Sequence, residues 1–111
     1  MPSHSIDIFF SSDTELSEWE AINKEWRNDV YVFYNDFMFQ LNIYTPVRLL
    51  QDFETEIKDY GFYSVDENIV LVQSTDKKTI ISSLLKLYDE GYFNKIKPLN
   101  KNNDVSLIKV Y

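Results

Sequence analysis

The chain has 111 residues, enough for one domain of the usual roughly 100–150 residues and for one small core. Its 44% hydrophobic content excludes bulk disorder, the absence of Cys excludes disulfides and thiolate metal sites, and 2 Gly leave no room for a Gly-rich phosphate loop. Net charge is -7, concentrated in residues 1–60 with 12 acids against 4 bases, while residues 61–111 hold 6 acids and 7 bases. Such an acidic half repels phosphate backbones and anionic lipid and attracts basic surfaces, although it serves solubility equally well.

In chain order, the first predicted element is a strand over Ser5 to Phe10, where Ile6, Ile8 and Phe10 alternate with Asp7 and Phe9. Ser12 stands three residues before Glu15, the spacing of a capping box. Leu16, Trp19, Ile22 or Asn23, and Trp26 then recur at helical intervals, with Glu15, Glu18 and Glu25 on the other side. This predicts a helix from Asp13 to Arg27 in which Trp19 and Trp26, seven residues apart, share one face, either packed in the core or serving as an aromatic anchor at an interface. Val30–Tyr34 and Phe37–Tyr44 are two β-rich runs joined by Asn35-Asp36, two residues that tolerate positive φ, so a tight hairpin is expected. Phe37, Phe39, Leu41 and Ile43 line one face of its second strand.

Thr45-Pro46 has the chemistry of an N-cap followed by a first helical residue. Val47, Leu50, Phe53, Ile57 and Tyr60 form one apolar stripe with Asp52, Glu54, Glu56 and Asp59 mostly off it, and Gly61 supplies a left-handed stop. Asn68–Gln73 contains an unbroken Ile69-Val70-Leu71-Val72 run suited to a central strand. Ser74 or Thr75 can cap a third helix in which Ile80, Ile81, Leu84, Leu85 and Tyr88 point inward and which Gly91 ends. A Lys/Asn-rich loop over Asn94–Asn103 and a last strand over Val105–Tyr111 complete the chain, with Lys109 discouraging further edge pairing. The expected fold is a single α+β domain over residues 1–111, in β-α-β-β-α-β-α-β order. Its sheet has about five strands, mostly antiparallel, with three helices packed on it.

Catalytic chemistry finds little support. The single His, His4, lies at the N-terminus, so neither Ser/His/Asp catalysis nor a transition-metal centre is expected. Carboxylate pairs such as Asp52 with Glu56 or Glu15 with Glu18 fall side by side on a helix. Glycosidases instead set such pairs about 5–10 Å apart across a cleft. Asn100–Asp104 lacks the frame of a calcium loop. The Lys95, Lys97 and Lys101 stretch lies near Tyr92 and Phe93 but belongs to an acidic chain, so no nucleic-acid partner is expected. Met1-Pro2-Ser3-His4 shows no secretory leader, and no apolar run approaches the roughly 20 residues needed to cross a bilayer. No cofactor, no metal and no membrane contact are therefore expected, and a cytoplasmic location is.

The segment Phe37-Met38-Phe39-Gln40-Leu41-Asn42-Ile43-Tyr44-Thr45-Pro46-Val47-Arg48-Leu49-Leu50 runs from a hairpin strand through Thr-Pro into an amphipathic helix. A Gly, an Ile/Val strand and a helix bearing Ile80, Leu84 and Leu87 follow. Over residues 30–90 this resembles the small bacterial immunity proteins of polymorphic toxin systems, the Immunity protein 8-like group. The resemblance implies a non-enzymatic protein that binds a cognate toxin domain, as in contact-dependent growth inhibition, and blocks it; many such toxins are nucleases. The resemblance carries no binding residues with it. From the residues themselves, the expected contacts are Glu15, Glu18, Asp52, Glu56 and Asp59 on acidic helix faces, with Trp19 or Tyr60 as an apolar anchor. A nuclease's basic cleft would meet that charge, and the free inhibitor would be a monomer or weak dimer. The rival expectations are an adaptor that self-associates through a sheet edge and a small enzyme that works with carboxylates alone.

Overall fold

The computed structural model describes residues 6–64, 67–99 and 106–111. The described elements are β1 (Asp7–Phe10), α1 (Glu15–Lys24), β2 (Trp26–Tyr34), β3 (Phe37–Tyr44), α2 (Pro46–Tyr60), β4 (Ile69–Leu71), α3 (Lys77–Asp89), a 3₁₀ turn at Tyr92–Asn94 and β5 (Ile108–Lys109). The strands form one mixed sheet in the order β4-β3-β2-β1-β5. Three of its pairings are antiparallel, and β3 with β4 is parallel because α2 carries the chain back across the sheet. The fold class is thus the expected α+β arrangement, with a parallel pair that the hairpin alone did not announce.

Strand alternation sorts the core. Ile8, Phe10, Val30, Val32, Phe39, Leu41, Ile43 and Val70 pack with Ile80 and Leu84 of α3 and with Phe93 of the 3₁₀ turn. Burial of this set, at about 25 cal/mol per Å² of apolar surface, is the main stabilising term. Ile81, Leu85 and Tyr88 pack against its margin. Tyr34 meets Tyr88 edge-on at 5.6 Å, and Phe39 meets Phe93 at 5.6 Å. The hairpin turns at Asn35 and Asp36 with φ of 53° and 68°, the left-handed pair that a two-residue type I′ loop needs.

Several sequence expectations shift. Helix α1 is ten residues long and closes at Lys24, because Glu25 takes a left-handed backbone (φ 57°) and the chain passes straight into β2. Trp26 therefore lies in a strand and does not share a helical face with Trp19. The cap of α1 is Thr14, in a reciprocal box with Ser17, in place of Ser12 with Glu15. Asp76, not Ser74 or Thr75, caps α3; Thr75 is buried and donates to the Ala21 carbonyl at 2.6 Å, tying the two helices together. The Ile69–Leu71 run is an edge strand, with Val70 buried and Leu71 exposed. The other edge, β5, is two residues long, and Lys109 pairs with Asp7 at 3.2 Å. Edges of three and two residues are a short ladder for another chain to extend. His4, the Ser5 start of the first strand, Asn100–Asp104 and the Val105 start of the last strand lie outside the described residues.

The largest departure concerns helix orientation. The stripe Val47, Leu50, Phe53, Ile57 and Tyr60, which packing of all three helices on the sheet would be expected to cover, is exposed along its whole length, and α2 has no buried residue. Leu16, Trp19 and Ile22 of α1 are exposed as well. Both helices turn their apolar sides to solvent.

Candidate functional site

The first surface is built on α1. Ala21, its one buried residue, faces the body of the protein, which places Trp19 and Leu16 on the far side of the helix. Trp19 is 62% exposed and Leu16 64%. A groove along this side is lined by Asp13, Thr14, Glu15, Glu18, Trp19, Ile22 and Lys77. The three expected α1 residues, Glu15, Glu18 and Trp19, thus come together. They differ in freedom. One Glu18 oxygen accepts from the backbone N–H of Lys77 at 2.8 Å, and the other lies 3.7 Å from the Arg27 guanidinium, so Glu18 holds α1 to the start of α3. Asp13 pairs with the Lys77 ammonium at 3.0 Å. Among the described residues nothing engages the carboxylates of Glu15 and Glu20; by helical spacing Glu15 falls within the apolar strip, between Trp19 and Ile22, and Glu20 lies beyond Leu16 at its edge.

The second surface is built on α2, and its rotation is set by its first turns. Thr45 is buried, accepts from the Arg48 N–H at 3.2 Å and donates to the Glu25 carboxylate at 2.9 Å. Arg48 donates to the Lys24 carbonyl at 2.8 Å, pairs with Asp52 at 3.0 Å and stands over the Trp26 ring at 5.4 Å. That polar side is pinned to the body, so the apolar side of the helix must face out. Asp52 and Glu56 line a groove with Thr55, Tyr63 and Ser64, while Asp59 and Tyr60 are exposed beyond it. The expected α2 residues, Asp52, Glu56, Asp59 and Tyr60, therefore share one helix but not one role. Asp52 is neutralised by Arg48, Glu56 and Asp59 keep free carboxylates among the described residues, and Tyr60 ends the apolar stripe. The α1 and α2 sets occupy two grooves, not one continuous acidic patch.

Sequence reasoning missed the cluster that supports α1. Arg27 is buried with its guanidinium 4.0 Å from the centre of the Phe10 ring. It forks onto both oxygens of Asp29 and donates to the Ser12 carbonyl at 3.1 Å. Burial works against the Asp29 carboxylate, but the Arg27 and Ser11 hydrogen bonds and the Arg27 charge outweigh it and hold its pKa below the usual carboxylate value. Arg27 and Asp29 share one side of β2 by the strand period, and the register shift between Arg27 and Val30 lets Val30 turn inward as well. The only sequence signal was an Arg two residues from an Asp inside a β-rich run.

Among the described residues no group of three or more His, Asp or Glu could hold a metal ion, and no helix is long and apolar enough to cross a membrane. What the two surfaces offer chemically is association: large apolar side chains in water with free carboxylates beside them. The chain matches no protein-family model, no curated protein and no solved structure.

Proposed function

We propose that this chain is an immunity protein that binds a cognate toxin domain in the cytoplasm and occludes its active site, and that the toxin is a nuclease. The carrying observation is the α1 surface, where Trp19 stands 62% exposed beside Leu16 and Ile22, with the free carboxylate of Glu15 among them and that of Glu20 at the edge. Interface hot spots favour such an arrangement: a large ring that desolvates on docking, surrounded by groups that match the partner's charge. A nuclease cleft is cationic because it holds phosphates, so an acidic surface with an aromatic anchor can fill it. Complementary charge also accelerates capture, which counts when the target kills quickly. The sequence resemblance to immunity proteins points the same way.

The test is rescue in cells. The reading predicts that a gene beside this one encodes a large secreted protein whose C-terminal domain is the toxin, and that domain is expressed from an inducible promoter. Co-expression of the wild-type chain is expected to restore growth, while Trp19→Ala, produced at the same level, is expected to restore it poorly. Growth arrest that the wild-type chain leaves untouched would remove the proposal.

A further inference from the structure

Helix α2 presents Leu50, Phe53, Ile57 and Tyr60, spaced i, i+3, i+7 and i+10, on one exposed face, on which the Phe53 ring meets Tyr63 at 5.6 Å. Leu50 is 56% exposed and Tyr60 67%. At 1.5 Å per residue, the 15-residue helix is a rod of about 22 Å. Glu56 borders the stripe on one side with Asp59 behind it, and Glu54 and Lys58 border it on the other. One flank is therefore purely acidic and the other mixed.

We infer that α2 is a second docking element, inserted as a helix into an apolar groove of the toxin domain whose one wall carries Lys or Arg side chains facing Glu56 and Asp59. This inference rests on the immunity reading and names the partner chemistry for a surface that α1 does not supply. Helix-in-groove recognition uses this pattern of anchors, with the apolar side chains giving affinity and the flanking charge giving orientation.

Charge decides against a second copy of the chain as the occupant. A parallel pair of α2 helices sets each acid beside its own copy. An antiparallel pair centred at Glu54 brings Glu54 to Glu54, one centred at Thr55 brings Glu54 to Glu56, and one centred at Glu56 brings Glu56 to Glu56. Each chain also carries a net -7, which opposes self-association. The same charge turns the helix away from phosphate-rich nucleic acid and from anionic lipid.

The experiment uses the full chain and the recombinant toxin domain encoded beside it. Leu50→Arg and Ile57→Arg place charge on exposed positions, so their melting curves should match the wild type. Each is expected to weaken toxin binding by about 30-fold or more, the loss typical of a buried anchor. The double variant Glu56→Lys with Asp59→Lys is expected to slow association several-fold and to flatten its dependence on salt. Gln51→Arg, off the stripe, should bind as the wild type does. Wild-type affinity in the Leu50→Arg and Ile57→Arg chains would overturn the α2 assignment while leaving the immunity reading intact. Absence of binding by the wild-type chain would overturn both. A concentration-dependent dimer in light scattering, abolished by Leu50→Arg, would give the stripe to a second copy and also overturn the assignment.

Discussion

At the scale of single residues, the structure depends on Arg27 more than on any exposed charge. Its guanidinium satisfies Asp29, reaches the Ser12 carbonyl and covers Phe10. Arg27→Ala would leave the half-buried Asp29 charge without its fork and is expected to cost about 3 kcal/mol, read from urea unfolding. Arg27→Lys should recover little of that, because an ammonium cannot make the paired contact. Two carboxylates set the acid limit. Asp29 and Asp76 both have folded pKa values below the usual one: burial opposes ionisation at each, and hydrogen bonds from Arg27 and Ser11, or from Ser74 and Thr79, outweigh it. A depressed folded pKa contributes stability that is present above the unfolded value and lost as pH falls through the folded one. Thermal melts should therefore be level from neutral pH down to about 5 with respect to these groups and fall below about 4. Asp76→Asn should keep the cap and lose its share of the acid sensitivity. Little of the Arg27 cluster was legible in the chain: the period of a strand lets Arg27 and Asp29 share a side, but the register shift between Arg27 and Val30, which turns that side and Val30 alike inward, leaves no periodic signal.

At the scale of elements, local chemistry was readable and orientation was not. Asn35-Asp36, Thr45-Pro46 and Gly61 announced a hairpin, a helix start and a helix stop, since each residue type supplies a backbone state that few others tolerate. The end of α1 was hidden because Glu25, not Gly, takes the left-handed position, held there by Thr45. The apolar stripe of α2 was also read correctly as a stripe. Amphipathicity says that a helix has an apolar side; it does not say whether that side meets the protein's own core or a partner. Arg48 and Asp52 decide the matter by anchoring the polar side. Leu84 and Leu50 test this directly, being Leu residues on two helices with similar patterning. Leu84→Ala removes a fully buried side chain and should cost about 2–5 kcal/mol. Leu50→Ala should change the stability of the free protein by no more than about 0.5 kcal/mol.

At the scale of the whole molecule, an acidic chain turns two apolar helix faces to water. Folding gains nothing from that exposure, and solubility loses by it, which is why the proposed use is association. On the proposed reading, the net -7 supplies the long-range part of binding. Raising ionic strength from about 0.01 M to about 0.15 M shortens the Debye length from roughly 30 Å to roughly 8 Å. The association rate with a cationic toxin should fall steeply over that interval while the dissociation rate stays nearly level. Composition made the charge readable from the start. Its division between two helices, with Glu18 and Asp52 spent on internal contacts, depended on tertiary neighbours that periodicity cannot reveal.

The most direct measurement is a calorimetric titration of this chain into the purified toxin domain encoded beside it, with the toxin's nuclease activity assayed on the same samples. A one-to-one complex is predicted, with activity falling in proportion to the fraction bound and Trp19→Ala shifting the affinity by about 30-fold. Binding that leaves the nuclease fully active, or no binding, would contradict the account.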